Sequence, residues 1–149
     1  MFRKMIALTA PFMLVCVFAF AALAGDVSVI APEKAPKAVG PYSQGVKADD
    51  FIFTSGQLPL NPETNTMPEG IEAQARQSLD NVKAVVEAAG SSLSKVVKVT
   101  IFLKDLNDFK VVNEIYATYF TKKFPARSCV QVARIPRDAL IEVEAIAIK

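Results

Sequence analysis

An arginine opens one apolar stretch near the end of the chain, and two glutamates sit inside the next. The stretches are Phe124-Pro125-Ala126-Arg127-Ser128-Cys129-Val130 and Ile141-Glu142-Val143-Glu144-Ala145-Ile146-Ala147. A guanidinium is always charged and offers a planar fork of donors that matches a carboxylate. A glutamate in an apolar strand is costly unless it is partnered. An arginine and a glutamate on neighbouring strands can therefore hold an acidic small molecule and act on it with one water. Glu142 and Glu144 are two residues apart, so they point to the same side, roughly 6.5–7 Å from each other along a strand. If both are buried, one needs a cation and the other has a raised pKa. The plainer alternative is ion pairing: Arg127 bridging to Glu144, or both glutamates meeting lysine or arginine across a subunit interface.

Other residues admit two uses each. Ser55-Gly56 follows an apolar run, where it either offers a hydroxyl and a close-approach backbone to a ligand or marks a bulge. Tyr42, after Gly40-Pro41, is an aromatic wall or a core residue. Asn113 falls in mid-helix, where asparagine is disfavoured unless it bonds something specific. Cys129 reads as a small buried hydrophobe whose apolar site raises its thiol pKa. The glycines form no phosphate loop and no dinucleotide pattern.

The chain has no histidine. This excludes a Ser-His-Asp triad, a Cys-His pair, a histidine general base and histidine metal ligands. With one cysteine outside the first 24 residues, thiolate zinc sites go too, and what remains is metal-free chemistry by carboxylate, arginine, tyrosine, hydroxyl or backbone groups.

Residues 1–24 differ from the rest. Arg3 and Lys4 precede an apolar run from Met5 to Ala24 that ends Ala22-Leu23-Ala24. That is the pattern of a secretory signal with an A-x-A cleavage site, and it predicts a periplasmic or secreted protein. The alternative is an uncleaved N-terminal anchor, because the run approaches the roughly 20 residues a spanning helix needs. Residues 25–149 then form one domain, long enough for a core without disulfides. The chain's 17 Lys+Arg and 15 Asp+Glu become 15 and 15 once Arg3 and Lys4 are set aside. Zero net charge argues against an electrostatic nucleic-acid binder. With Cys16 in the signal, Cys129 has no partner for a disulfide.

The elements that must position these residues follow from periodicity. Residues 25–41, with Pro32, Pro36 and Pro41, read as an extended lead-in. Tyr42–Val46 and Phe51–Ser55 read as a hairpin. A helix is expected from about Pro68 to Ala89, with Ile71, Ala75, Leu79, Val82 and Val86 on one face and Gly90 as its stop. Val96–Lys104 reads as a strand with Val97, Val99, Ile101 and Leu103 on one face. A second helix, capped by Asp105 or Asn107, runs to about Lys122 with the stripe Phe109, Val112, Tyr116 and Tyr119 or Phe120. Arg127–Ala133 and Leu140–Ile148 close the chain as strands. The fold class is α+β, a mixed sheet with two helices packed on one face. The last strand is apolar on both faces, so the second face needs a cover, which predicts oligomerisation.

Gly40-Pro41-Tyr42-Ser43-Gln44, Thr54-Ser55-Gly56-Gln57, Gln74–Val82, Lys104–Phe109, Val112–Tyr116 and the Pro125–Ala147 block resemble, in order and spacing, the reactive intermediate deaminase A (RidA/YjgF) family. The resemblance covers essentially all of residues 25–149. It implies a chorismate-mutase-like fold assembled as a homotrimer with clefts between subunits. It also implies hydrolysis of 2-imino or enamine acids to 2-keto acids and ammonia. It assigns the substrate carboxylate to Arg127, and the water to Glu142 and the backbone carbonyl of Cys129. Tyr42, Ser55, Gly56 and Asn113 match positions that line or support the cleft. A non-catalytic trimer that binds small carboxylates or acts as a chaperone is the rival. Ribonuclease activity, associated with some family members, fits poorly with zero net charge and no histidine.

Overall fold

The computed structural model describes residues 25–149; the signal segment expected at residues 1–24 lies outside them. Strands β1 (Val27–Ile30), β2 (Gly45–Ala48), β3 (Phe51–Thr54), β4 (Val96–Leu103), β5 (Ala126–Gln131) and β6 (Ile141–Ile148) form one sheet. Helices α1 (Ile71–Ala88) and α2 (Phe109–Tyr119) pack on one of its faces, as the α+β reading requires. The core between them joins Ala75, Leu79, Val82 and Val86 of α1 to Val99, Ile101 and Leu103 of β4 and Ile141 and Val143 of β6. Each buried aliphatic side chain of this kind stabilises the fold by roughly 1.5–3 kcal/mol.

Several boundaries differ from expectation for local reasons. The lead-in contains a strand, β1, which pairs with β2 at the sheet's edge. Tyr42 precedes β2 instead of opening it, because the Gly40 carbonyl accepts the Tyr42 amide in a tight bend at 2.8 Å. Gly70, at φ 78°, stands outside helical space, so α1 starts at Ile71 and not at Pro68. A register shift between Val96 and Lys98 leaves Val97 exposed and buries Val96 in its place. The second helix is shorter than expected. A 3₁₀ turn over Leu106–Asp108 precedes it, and the Asp105 carboxylate caps that turn by accepting the Asn107 amide at 2.8 Å.

The larger difference is strand order, β1-β2-β3-β6-β4-β5. β5 and β6 are consecutive in sequence, yet β4 lies between them. β4 and β5 are parallel, the other neighbouring pairs antiparallel. A parallel pair needs a crossover, and α2 supplies it. Arg127 and Glu142 are therefore not on neighbouring strands.

Polar side chains of α1 tie the sheet's irregular segments to the helix. Gln74 donates to the Pro68 carbonyl at 3.0 Å and accepts the Leu140 amide at 2.8 Å, which fixes the start of β6. Asn81 donates to the carbonyls of Leu58 and Leu60, both at 2.9 Å. The face of the sheet without helices carries Phe51 opposite Ile148 and Phe53 opposite Ile146. Phe51, Phe53 and Ile148 are exposed, so the second apolar face has no cover within one protomer.

Candidate functional site

The alternation of each strand decides where the candidate residues point. Arg127 and Cys129 stand opposite Val99 and Ile101 of β4, which face the helices. Glu142 and Glu144 stand opposite Phe102 and Thr100, on the other face. Within one protomer Arg127 and Glu142 thus lie on opposite faces, two strand spacings or roughly 10 Å apart across the sheet. The structure gathers the candidates into two groups instead of one.

The first group surrounds Glu142. β3 and β6 part after the Phe53–Ile146 pair and meet again at Gln57–Val143. Thr54, Ser55 and Gly56 thus stand opposite only Glu144 and Ala145. The Thr54 hydroxyl fills one gap by accepting the Ala145 amide at 2.9 Å. This excursion lays Gly56 directly against the Glu142 carboxylate, in space that a Cβ at residue 56 would occupy. Ser55-Gly56 is therefore both bulge and close approach. The Ser55 hydroxyl donates to the Ser43 carbonyl at 2.6 Å and ties down the segment that carries Tyr42. Tyr42 is 47 % exposed, which makes it a wall and not a core residue. Tyr42, Gln44, Gly56 and Gln57 line one small crevice.

The buried Gln57 side chain donates to the Ser55 carbonyl at 3.0 Å and to that of Gln44 at 3.4 Å. Gln44 in turn donates to the carbonyls of Pro32, Ala35 and Pro36 at 3.1, 2.9 and 2.7 Å. Burial holds the Glu142 carboxyl above the usual carboxylate range, and the Glu144 charge adds to the effect.

The second group surrounds Arg127. Its guanidinium carbon lies 4.6 Å from the centre of the Tyr116 ring and 5.7 Å from that of Phe109. Asn113 lies four residues after Phe109 and three before Tyr116, on the same side of α2. It makes no side-chain hydrogen bond among the described residues, against the expectation of a specific partner. Burial raises the Cys129 thiol pKa, as expected, and the nearby Arg127 charge opposes the shift. The Val132 amide donates to the Leu103 carbonyl at 2.9 Å. Backbone groups alternate sides along a strand, so the N–H and C=O of Cys129 point away from β4, to the sheet's open edge.

The charges of both groups are unspent. The ion pairs among the described residues are Arg76–Glu72, Lys83–Glu87 and Arg134–Asp138. Arg127, Glu142 and Glu144 belong to none, so the ion-pair alternative fails within one protomer. Among the described residues no cluster of acidic or cysteine side chains is arranged to hold a metal.

The sequence profile of the family described as Endoribonuclease L-PSP matches residues 32–149. The chain belongs to this family. It is 58 % identical over 123 residues to the 2-iminobutanoate/2-iminopropanoate deaminase of Escherichia coli K12, covering 80 % of this chain and 96 % of that protein. The crystal structure of the YjgF gene product from E. coli superposes with a TM-score of 0.80 at 57 % identity, covering 82 % of this chain and 98 % of that one. E. coli TdcF, solved with bound serine, gives a TM-score of 0.80 at 49 % identity, covering 82 % and 98 %. The RidA/YjgF resemblance and its fold are thereby established.

Two residues of this L-PSP family member were not legible as site residues. Phe109 and Tyr116 read only as an apolar helix stripe. The available signal was the polar Asn113 set between two aromatic rings on one helix face.

Proposed function

We propose that the protein hydrolyses short 2-imino and enamine acids, such as 2-iminobutanoate and 2-iminopropanoate, to 2-keto acids and ammonia. The names of its relatives support this chemistry. The observation that carries the reading is the pair of unspent charges, Arg127 on one face and Glu142 on the other. A homotrimer whose protomers meet at the edge of β5 would bring Arg127 of one protomer to Glu142 of the next.

The Arg127 fork takes the substrate carboxylate in two parallel hydrogen bonds. An iminium carbon is already electrophilic, so neither metal nor cofactor is needed to activate it. Glu142 accepts a proton from water as the water oxygen bonds to that carbon and the C=N π pair moves onto nitrogen. The Cys129 carbonyl at the sheet edge is a second acceptor for the same water. Glu142 then returns its proton to the amine nitrogen, the C–N bond breaks, and the carbonyl forms. The remaining hydroxyl proton leaves with ammonia as ammonium. A carboxyl raised by burial suits both halves of this cycle, because it holds a proton more readily than an exposed glutamate. Tyr42, Ser55 and Gly56 wall the Glu142 side, and Asn113 supports the Arg127 side.

The test supplies imine from an amino-acid oxidase and lets semicarbazide compete for it. Wild-type protein should speed keto-acid release, and Arg127→Ala should abolish the effect while leaving the assembly intact. Carboxylate binding with no rate effect would favour the non-catalytic rival. The segment at residues 1–24 adds the proposal that this chemistry takes place outside the cytoplasm; N-terminal sequencing of the cell-expressed protein should begin at Gly25.

A further inference from the structure

An arginine that recognises a carboxylate must be held still without being neutralised. The usual holder is an acidic neighbour, which would occupy the fork that the ligand needs. Arg127 has no such neighbour among the described residues, yet it is half-buried. What it touches is aromatic: the Tyr116 ring at 4.6 Å and the Phe109 ring at 5.7 Å. Both distances are within the roughly 6 Å at which a ring face attracts a cation.

From this contact we infer that Tyr116 and Phe109 are positioning residues that fix the Arg127 guanidinium by their ring faces and leave its donors free for the substrate carboxylate. The inference rests on the carboxylate-binding role proposed for Arg127. It assigns that site two side chains that never touch the reacting atoms.

The two rings have different standing. Tyr116 is 3 % exposed and lies 4.5 Å, centre to centre, from Phe120, so the core sets its orientation. Its hydroxyl is buried with no hydrogen-bond partner. The ring face, not the hydroxyl, is therefore the part that meets Arg127. Phe109 is 40 % exposed at the start of α2, so its ring meets Arg127 from the surface side. Side chains at positions 109, 113 and 116 share one helix face, so α2 presents both rings and Asn113 toward β5 as a unit.

The experiment measures steady-state imine hydrolysis and calorimetric binding of 2-oxobutanoate for Tyr116→Phe, Tyr116→Leu, Phe109→Leu and Arg127→Ala, with the assembly state checked for each. Tyr116→Leu and Phe109→Leu should raise KM and weaken 2-oxobutanoate binding, by on the order of tenfold for Tyr116→Leu, with kcat little changed. Tyr116→Phe, which keeps the ring, should behave as wild type. Phe109→Leu keeps the test open if Tyr116→Leu fails to fold, because the Phe109 ring lies at the surface. Wild-type KM and binding in Phe109→Leu and in folded Tyr116→Leu, alongside loss in Arg127→Ala, would overturn the positioning role alone. Full activity and binding in Arg127→Ala would overturn the reading of Arg127 and this inference with it.

Discussion

Gly56 and Glu142 make the sharpest demand on single residues. A methyl group at position 56 would fall where the Glu142 carboxylate lies. Gly56→Ala should displace that carboxylate and lower kcat/KM on the order of 10²-fold, read in the imine assay. Glu142 itself links activity to stability. Its carboxyl binds a proton more tightly folded than unfolded, so its contribution to stability is full below the unfolded value and is lost as pH rises through the raised one. Glu142→Gln should therefore abolish hydrolysis and yet raise the melting temperature at neutral pH, a difference that shrinks in acid. Wild-type kcat/KM should fall with acidity along a limb displaced above the ordinary carboxylate range. The residue types at this site were legible from the sequence: an absent histidine, and an arginine and two glutamates set in the closing apolar stretches, left little other chemistry. The contacts were not, because a glycine's neighbour 86 residues away and a guanidinium's aromatic bed are tertiary facts that no local pattern encodes.

At the scale of elements, hydrophobic period located both helices and all the strands that bury a face. β1 escaped notice because it is four residues long, mostly exposed, and followed at once by the prolines of the lead-in. The place of β4 escaped for another reason. Sequence neighbours such as β5 and β6 usually pair, whereas here the α2 crossover sends β5 to the far side of β4. Where the chain enters β2 and leaves β3, buried amides do the holding. Gln44 serves three carbonyls of the lead-in and Gln57 braces the excursion at Gly56. Gln44→Leu should strand those carbonyls and cost about 1–3 kcal/mol in urea unfolding. Gln57→Leu should reduce kcat at nearly normal KM, since it loosens the wall behind Glu142 and not the grip on the carboxylate.

At the scale of the whole molecule, one protomer holds the Arg127 group and the Glu142 group on opposite faces of its sheet. If the functional site joins Arg127 of one protomer to Glu142 of the next, two dead variants can rescue each other. Arg127→Ala and Glu142→Gln protomers, unfolded together and refolded as mixed rings, should regain about a quarter of wild-type sites by random assortment. No recovery from assembled mixtures would overturn a site shared between Arg127 of one protomer and Glu142 of the next. The position of β6, inserted between β3 and β4, reaches beyond catalysis. Residues 141–148 are synthesised after all five strands whose sheet they complete, so β3 and β4 have nothing to bridge them while the ribosome is still at work. The nascent chain must stay open until its final segment emerges, and a translation stop before Ile141 should leave a product that proteases clear.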